Sequence, residues 1–345
     1  MLTPNVVPDF TALRVAVAGD LIVDRYVYAR PTRLSREAPV IVMRHAGEEL
    51  GAGGAANVAR NLCALGTRTT LIGTVGRDAM GRELIRLLET DEVSVEAVHS
   101  SVGYTTPTKT RILGAEPGRT MHQVLRIDRE PDHPVPLEER ERVARDLRTL
   151  EGRIDALLVS DYGYGLVDEN VGAAARRIRD AGGVVVLDPR ADFELLSGAT
   201  AMTPNLAELA NAVGKSIDQM ADFSEVVRAA NELLERARPE WLLVTMGNRG
   251  MALFSEEERA GVTTRPAGAE SVIDVSGAGD TAAAVFTLAL AAGLEGPRAM
   301  RLANTAAGVV VMEHGTAVCP LSTLRSTLPV APQPSRNTAV AAELR

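Results

Sequence analysis

Short apolar runs of strand length alternate with longer helical patterns along most of the chain. The runs fall at residues 15–18, 70–73, 156–160, 184–187, 242–245 and 251–254. The helical patterns fall at residues 54–65, 79–89, 137–149, 168–181, 205–213, 222–237, 278–293 and 297–312. Strands that alternate with helices form βαβ units, in which helices cover both faces of a parallel sheet. The sequence therefore predicts a three-layer α/β/α domain with a mostly parallel central sheet.

Two stretches interrupt this alternation, at residues 22–47 and 103–130. Both mix β-branched and charged residues with short apolar patterns, which is typical of short antiparallel strands that project from the main sheet. Such a β lid has one apolar face, which substrate or a second subunit must cover. We therefore expect a homodimer formed through the lid.

Composition excludes several other classes of protein. The formal net charge is −8, from 37 basic and 45 acidic residues, and no basic run offers a surface for nucleic acid. The apolar runs, such as 281–293, are shorter than the ~20 residues that span a bilayer. Cys63 and Cys319 are too few for a disulfide framework. These features predict a cytoplasmic protein without membrane contact, and the Pro- and Ala-rich tail from about residue 328 is expected to be disordered.

The most informative segment for chemistry is 274–281, D-V-S-G-A-G-D-T, which an apolar helix follows at once. Its glycines allow a tight turn, and the helix start supplies free N–H groups for an anion. Phosphoryl transfer needs such an anion hole and a carboxylate that receives the proton of the attacking hydroxyl. Gly277, Ala278 and Gly279 supply the first and Asp280 the second, and the helix dipole is expected to lower the pKa of Asp280. The alternative is that Asp280 only stabilises the helix start.

A second glycine-rich segment, G-A-G-G-A-A-N, occupies residues 51–57. It could be a nicotinamide-dinucleotide fingerprint, but that motif directly follows the first strand and requires an acidic residue about 20 positions later. Here the segment follows the lid, and the next strand runs into Gly73 and Thr74, so both conditions fail. In the preferred interpretation Gly53, Gly54 and Asn57 contact a sugar.

Both segments resemble signatures of the ribokinase-like (PfkB) carbohydrate kinases. D-V-S-G-A-G-D-T is similar to the family's D-T-x-G-A-G-D, with Val275 in place of Thr, and G-G-x-x-x-N is similar to its sugar-binding motif. The resemblance implies a ribokinase-like fold that uses ATP and Mg²⁺ and leaves a requirement for a monovalent cation open. It assigns Asp280 as catalytic base and the preceding glycines as anion hole.

Further blocks resemble the heptose-7-phosphate kinases within this family. They include G-D-L-I-V-D-R-Y at 19–26 and S-R-E-A-P-V at 35–40, and the likeness covers one kinase domain from about residue 12 to 325. Basic lid residues suit a sugar phosphate, and carboxylates suit its hydroxyls, although Lys109 and Arg111 could also be ordinary solvated strand residues. Besides Gly53, Gly54 and Asn57, the substrate-binding residues are then expected to be Asp24, Arg25, Lys109, Arg111, Arg126, Asp128 and Asp161.

On the nucleotide side, Asn205 and Glu208 form an N-x-x-E pair at a helix start. The resemblance places this pair at the triphosphate, with Glu208 holding Mg²⁺ through water. A plain capping arrangement is the alternative, and both can hold at once. The remaining residues that the resemblance assigns to ATP are Thr245, Gly247, Gly250 and Asn304.

Two departures from the family pattern leave the acceptor open. Tyr164 and Arg190 stand where the family usually has Lys. The acceptor is therefore heptose 7-phosphate or another sugar or sugar phosphate of the fructose, tagatose or ribose type. A sensor that binds a sugar phosphate without transfer is the alternative from another class. Because the likeness ends near Leu324, the nucleotidyltransferase that some members carry is expected in a separate protein.

Overall fold

The computed structural model describes residues 7–115, 121–268 and 272–328. The tail that was expected to be disordered lies almost entirely outside these residues. In chain order the strands are β1 Arg14–Gly19, β2 Leu21–Leu34, β3 Ile41–Gly54, β4 Arg68–Gly76, β5 Ser94–Ser101, β6 Thr108–Gly114, β7 His122–Arg129, β8 Ala156–Ser160, β9 Val184–Asp188, β10 Ala201–Met202, β11 Trp241–Thr245, β12 Met251–Phe254 and β13 Val262–Thr264. The α-helices are α1 Ala55–Ala64, α2 Ala79–Thr90, α3 Leu137–Thr149, α4 Glu169–Asp180, α5 Leu206–Ala212, α6 Phe223–Ala237, α7 Ala278–Ala291, α8 Gly296–Val310 and α9 Leu321–Thr327.

The central sheet of the described chain has the strand order β13-β12-β11-β10-β9-β8-β1-β4-β5. Neighbouring strands from β11 to β5 are parallel, whereas β12 and β13 continue one edge in antiparallel pairing. Helices cover both faces, so the predicted three-layer domain with a mostly parallel sheet is confirmed.

Two apolar clusters lie on the two faces of this sheet. One packs α1, α2, α7 and α8 on one face, and the other packs α3, α4, α5 and α6 on the opposite face. Helices α1 and α7 therefore share a face, and both begin at the carboxyl ends of the parallel strands. Among the residues that the structure describes, no helix combines the length and the apolar character needed to cross a membrane.

The lid is a separate sheet with the order β3-β2-β6-β7. The expectation of short antiparallel strands is wrong in two respects, because β2 and β3 have 14 residues each and β2 pairs with β6 in parallel. The parallel pairing of β2 with β6 follows from the way these strands are connected to the main sheet. Strand β2 continues from β1 and β6 follows β5, and these two parallel strands of the main sheet end at the same edge.

Candidate active site

The two glycine-rich motifs meet in the folded chain. Asn57 lies in the first turn of α1 and Asp280 in the first turn of α7. The Asn57 Nδ2 donates a hydrogen bond to the Asp280 Oδ2 over 2.8 Å, across 223 residues of sequence. Both side chains are buried, at 0% and 4% exposure. The predicted sugar contact and the predicted base thus belong to one site.

The second oxygen of the Asp280 carboxylate is also held. The hydroxyl of Tyr162 donates to Asp280 Oδ1 over 2.8 Å. Tyr162 is the second residue after β8, so its position at the carboxyl end of a buried strand was the signal for a site residue. The sequence analysis did not include this tyrosine among the expected site residues.

Burial raises the pKa of Asp280 to about 6. The hydrogen bonds from Asn57 and Tyr162 and the charge of Lys109 oppose this rise, while Asp24 adds to it. The expectation that the helix dipole would lower the pKa is therefore wrong, because loss of solvation of the carboxylate outweighs it. A pKa near 6 leaves the group mostly ionised at neutral pH and close to the range in which a general base works best.

The start of α7 has the form of an anion-binding turn. Gly277 is the N-cap with φ of +77°, and a Cβ there would lie 2.6 Å from the Asn57 Nδ2. No acceptor in the described part of the chain takes a hydrogen bond from the N–H groups of Gly279 and Asp280. These amides lie beside the Asp280 carboxyl, so an anion and a reacting hydroxyl would meet at this point.

Five of the expected substrate residues lie on one face of the lid. Register pairs Asp24 with Lys109 in β6, and Lys109 with Asp128 in β7. Arg111 forms an ion pair with Asp24, and the Arg126 Nε donates to Asp128 Oδ1 over 2.7 Å. This face is directed toward Asp280, because both Asp24 and Lys109 influence the pKa of that carboxyl.

Arg25 lies on the opposite face of the lid. Its guanidinium forms an ion pair with Glu48 instead of approaching the pocket. The reason is the alternation of side chains along a strand, which directs neighbours of Asp24 away from the site. Arg25 therefore does not join the residues that the lid brings toward Asp280.

The glycines at the start of α1 permit close approach of other groups. A Cβ on Gly53 would collide with the Asp24 carboxylate, and Gly54 is the helix N-cap with φ of +58°. The Asn57 Oδ1 is buried and has no partner among the described residues. It is thus free to accept a hydrogen bond from a ligand hydroxyl.

A cavity of about 220 Å³ lies on the other side of Asp280. Its lining residues are Asp161, Tyr162, Asp188, Pro189, Arg190, Thr203, Asn205, Glu208, Thr245, Gly277, Gly279 and Asp280. Asp161, expected at the sugar, thus lies on this side. Burial, together with the charges of Glu208 and Asp280, raises the pKa of Asp188 well above its ordinary value. Asp188 is a further residue that the sequence reasoning left out of the site.

The N-x-x-E pair is a capping box at the start of α5. The Asn205 Oδ1 accepts from the Glu208 N–H over 3.0 Å, and the Glu208 Oε2 accepts from the Asn205 N–H over 2.8 Å. The other Glu208 oxygen lies 3.8 Å from the Arg190 Nη1 within the cavity lining. The capping interpretation is thus correct and leaves one carboxylate oxygen for a ligand.

The other expected ATP residues differ in their surroundings. Thr245 lines the cavity, whereas Gly247, Gly250 and Asn304 are outside its lining. Gly250 has φ of +84° and packs closely on the backbone of β13. The Asn304 Nδ2 donates to the Arg265 carbonyl over 2.8 Å. These contacts support the local fold.

A lidded pocket at the carboxyl ends of a parallel sheet, with a buried carboxylate at a glycine-capped helix start, defines a ribokinase-like domain. The chain matches the model of the pfkB family of carbohydrate kinases over residues 12–324. The chain therefore belongs to the pfkB family, as the resemblance in the sequence indicated.

Two relatives show how far the likeness extends. The D-beta-D-heptose 7-phosphate kinase of Bordetella bronchiseptica is 41% identical over 308 residues, which cover 88% of this chain and 93% of that protein. The bifunctional protein HldE of Desulfatibacillum aliphaticivorans is 38% identical over 321 residues, covering 92% of this chain and 64% of the relative. The chain thus spans somewhat less than two thirds of the bifunctional protein.

Solved structures show the same fold at low sequence identity. Arabidopsis thaliana ribokinase complexed with ribose and ATP has a TM-score of 0.70 and 21% identity, covering 93% of this chain and all of that chain (100%). Escherichia coli phosphofructokinase-2 in complex with potassium has a TM-score of 0.73 and 18% identity, covering 91% of this chain and 98% of that chain.

Proposed function

We propose that the protein is an ATP-dependent kinase that converts D-glycero-D-manno-heptose 7-phosphate to the 1,7-bisphosphate. In this reaction the sugar 1-hydroxyl attacks the γ-phosphorus of ATP, its proton passes to Asp280, and the bond between the γ-phosphorus and the β–γ bridging oxygen breaks. We also propose a cytoplasmic location, where ATP is available.

The observation that carries the proposal is the arrangement around Asp280. Its carboxylate accepts hydrogen bonds from Asn57 and Tyr162, and beside it lie the Gly279 and Asp280 amides, which have no acceptor among the described residues. A base and an anion hole are then next to each other, as in-line phosphoryl transfer requires. The free Asn57 Oδ1 supports a position for the sugar hydroxyls on the lid side.

The acceptor is inferred from the relatives and from the charges of the lid. The similarity to a protein named heptose 7-phosphate kinase extends over nearly the full length of both chains. Lys109, Arg111 and Arg126 supply positive charge at this face, which suits a terminal phosphate. At the position where the family usually has Lys, the Tyr164 hydroxyl donates to Glu130 over 3.3 Å. The phosphate is therefore assigned to the three lid cations.

The donor set of the nucleotide-side cavity fits Mg²⁺. Within the described ranges no three His, Cys, Asp or Glu side chains form a dedicated metal centre. Mg²⁺ needs few protein ligands because it keeps several waters and binds phosphate oxygens. Glu208 would hold it through water, and Asp188 lies near the carboxylates of Glu208 and Asp280, whose charges raise its pKa. When bound, Mg²⁺ neutralises charge on the β- and γ-phosphates.

The experiment is ADP release by the purified protein with Mg·ATP and a panel of acceptors. The panel contains heptose 7-phosphate, fructose 6-phosphate, tagatose 6-phosphate, ribose and fructose, each assayed in potassium and in sodium buffer. We expect heptose 7-phosphate to give the highest kcat/KM. A preference for another sugar would support the kinase activity but change the proposed acceptor. Binding of a sugar phosphate without turnover at saturating ATP would instead support a sensor.

We further propose a homodimer formed through the outer face of the lid. Leu125 and Ile127 alternate with the site-facing Arg126 and Asp128, and they are 52% and 53% exposed. Ile112 pairs with Leu125 on the neighbouring strand and extends this apolar face. An exposed apolar sheet face of this kind is typical of a subunit contact.

A further inference from the structure

Tyr162 connects three separate parts of the site. Its hydroxyl donates to Asp280 Oδ1 over 2.8 Å. The Lys109 Nζ of the lid lies 4.7 Å from the centroid of its ring, which is a cation–π distance. Its backbone N–H donates to the Asp20 Oδ2 over 2.8 Å. The side chain thus contacts the candidate base and a lid cation, and the backbone of the same residue is bonded to Asp20, which follows β1.

Asp20 fixes the loop that carries Tyr162. Its carboxylate is 2% exposed and also accepts a hydrogen bond from the Tyr164 N–H over 3.2 Å. The amides of Tyr162 and Tyr164, two residues apart, are therefore anchored to one buried side chain. The Tyr162 ring is oriented before any substrate arrives, which is the condition for a preorganised site.

The Tyr162 hydroxyl remains a donor in this arrangement. Burial, together with the charge of Asp280, raises the pKa of Tyr162 well above its ordinary value. The proton released by the attacking hydroxyl therefore goes to Asp280, and the tyrosine keeps its own proton throughout. Tyr162 acts through Asp280 and not as a proton carrier.

We propose that Tyr162 is a positioning residue for phosphoryl transfer: its hydroxyl holds the Asp280 carboxylate ionised and aligned, and its ring seats the Lys109 ammonium beside that carboxylate. This inference rests on the proposed kinase function. Two roles are thereby separated within one side chain. The hydroxyl controls the base, and the ring controls the lid cation that faces the sugar phosphate.

The other charged groups that face Asp280 determine whether its pKa rises or falls when the Tyr162 hydroxyl is removed. Asp24 on β2 and Asp188 at the end of β9 favour the neutral form, while Lys109 on β6 favours the ionised form. Without the Tyr162 hydroxyl, Asn57 is the one remaining direct side-chain donor among the described residues. The carboxyl must then bind its proton more tightly.

The first test compares the pH dependence of kcat/KM in Tyr162→Phe and the parent protein. We expect the acidic limb to move up by about one pH unit, because one hydrogen bond to the ionised form is lost. Tyr28→Phe is the matched control, since the Tyr28 hydroxyl also donates to a carboxylate over 2.8 Å, but to Glu49 at the lid. Its acidic limb should not move. An unmoved limb in a folded Tyr162→Phe would overturn the assignment of the hydroxyl.

The second variant, Tyr162→Leu, removes the ring as well. We expect the same movement of the acidic limb together with a several-fold higher KM for the phosphosugar, because Lys109 loses its aromatic contact. Tyr162→Phe keeps the ring and should leave this KM nearly unchanged. Equal KM values in the two variants would contradict the role of the ring.

A measurement without turnover separates this inference from the proposed function. Carbon-13 NMR of aspartate-labelled protein follows the titration of the Asp280 carboxyl, and Asp280→Asn identifies its resonance. If no acceptor is phosphorylated but the titration midpoint rises in Tyr162→Phe, the kinase proposal fails and the contact with the base stands. If the midpoint does not change in the folded variant, the inference is wrong whatever the activity.

Discussion

Asp280, the proposed base, carries a cost in stability. Its folded-state pKa of about 6 lies above its usual value of 3.8 because it is buried. Between these two values the folded protein retains a proton that the unfolded chain has released, so stability falls as the pH rises through this window. The burial that would suit Asp280 to proton transfer therefore lowers the stability of the fold, a trade-off that is common at active sites.

The variant Asp280→Asn tests both consequences at the residue scale. We expect turnover to fall by about two to four orders of magnitude, because the general base is lost. The fold should persist, since the Tyr162 hydroxyl can turn and accept a hydrogen bond from the new amide. The melting temperature should rise by about 2–4 °C at pH 7.5, with the gain vanishing near pH 4.

The measurements are steady-state ADP release and thermal melting of both proteins between pH 4 and pH 8. Unchanged turnover would place the base at another residue. A gain in melting temperature that stays constant across this pH range would show that Asp280 does not titrate within it.

At the scale of elements, the start of α7 depends on the conformation of one glycine. Gly277 has a left-handed conformation, and its missing Cβ leaves room for the Asn57 amide. Gly277→Ala should cost about 1–2 kcal/mol in backbone strain and displace Asn57, with at least tenfold lower turnover. Gly279→Ala is the comparison, because a Cβ there meets nothing within 4 Å. It should melt at the parent temperature or higher.

Thermal melting and single-substrate kinetics of the two glycine variants decide this prediction. A Gly277→Ala protein that melts and turns over like the parent would show that the turn relaxes without strain. Equal destabilisation by both substitutions would mean that the first turn of α7 does not tolerate alanine in general, and that the conformation of the N-cap is not the cause.

Elements differ in how far their sequences reveal them. Long periodic helices such as α6, and strands that are buried on both faces such as β8, were predicted because packing fixes their apolar pattern. β5 was missed because this edge strand mixes polar and apolar residues, and β10 because it has two residues. Helix α9 has seven residues and one buried side chain, Leu324, so its pattern is too short to detect.

The site was predictable where local motifs carry it and not where the tertiary fold does. Asp280 and Asn57 belong to glycine-rich segments whose backbone requirements show in the sequence. The contact of Tyr162 with Asp280 requires β8 and α7 to lie side by side, across 118 residues of sequence. The pKa of Asp280 was predicted in the wrong direction for the same reason, since its burial comes from distant parts of the chain.

At the scale of the whole molecule, the lid joins the candidate substrate site to the candidate subunit interface. Side chains alternate between the two faces of its strands, so Arg126 and Ile127 lie on opposite faces although they are adjacent. A lid sheet of four strands, connected to the main domain at its base, gains an apolar cover when a second copy binds its outer face. Dimerisation would thereby stabilise the surface that we propose to bind the sugar phosphate.

We expect the purified protein to have about twice the 36.6 kDa mass of the chain in light scattering at micromolar concentration. The double variant Leu125→Glu/Ile127→Glu should be monomeric, because four buried charges would meet at the interface without partners. Ile217→Glu is the control, since Ile217 is 49% exposed on the main domain and outside the lid. It should remain dimeric. A parent protein at the mass of a single chain, or a double variant that stays dimeric, would move the interface away from the lid.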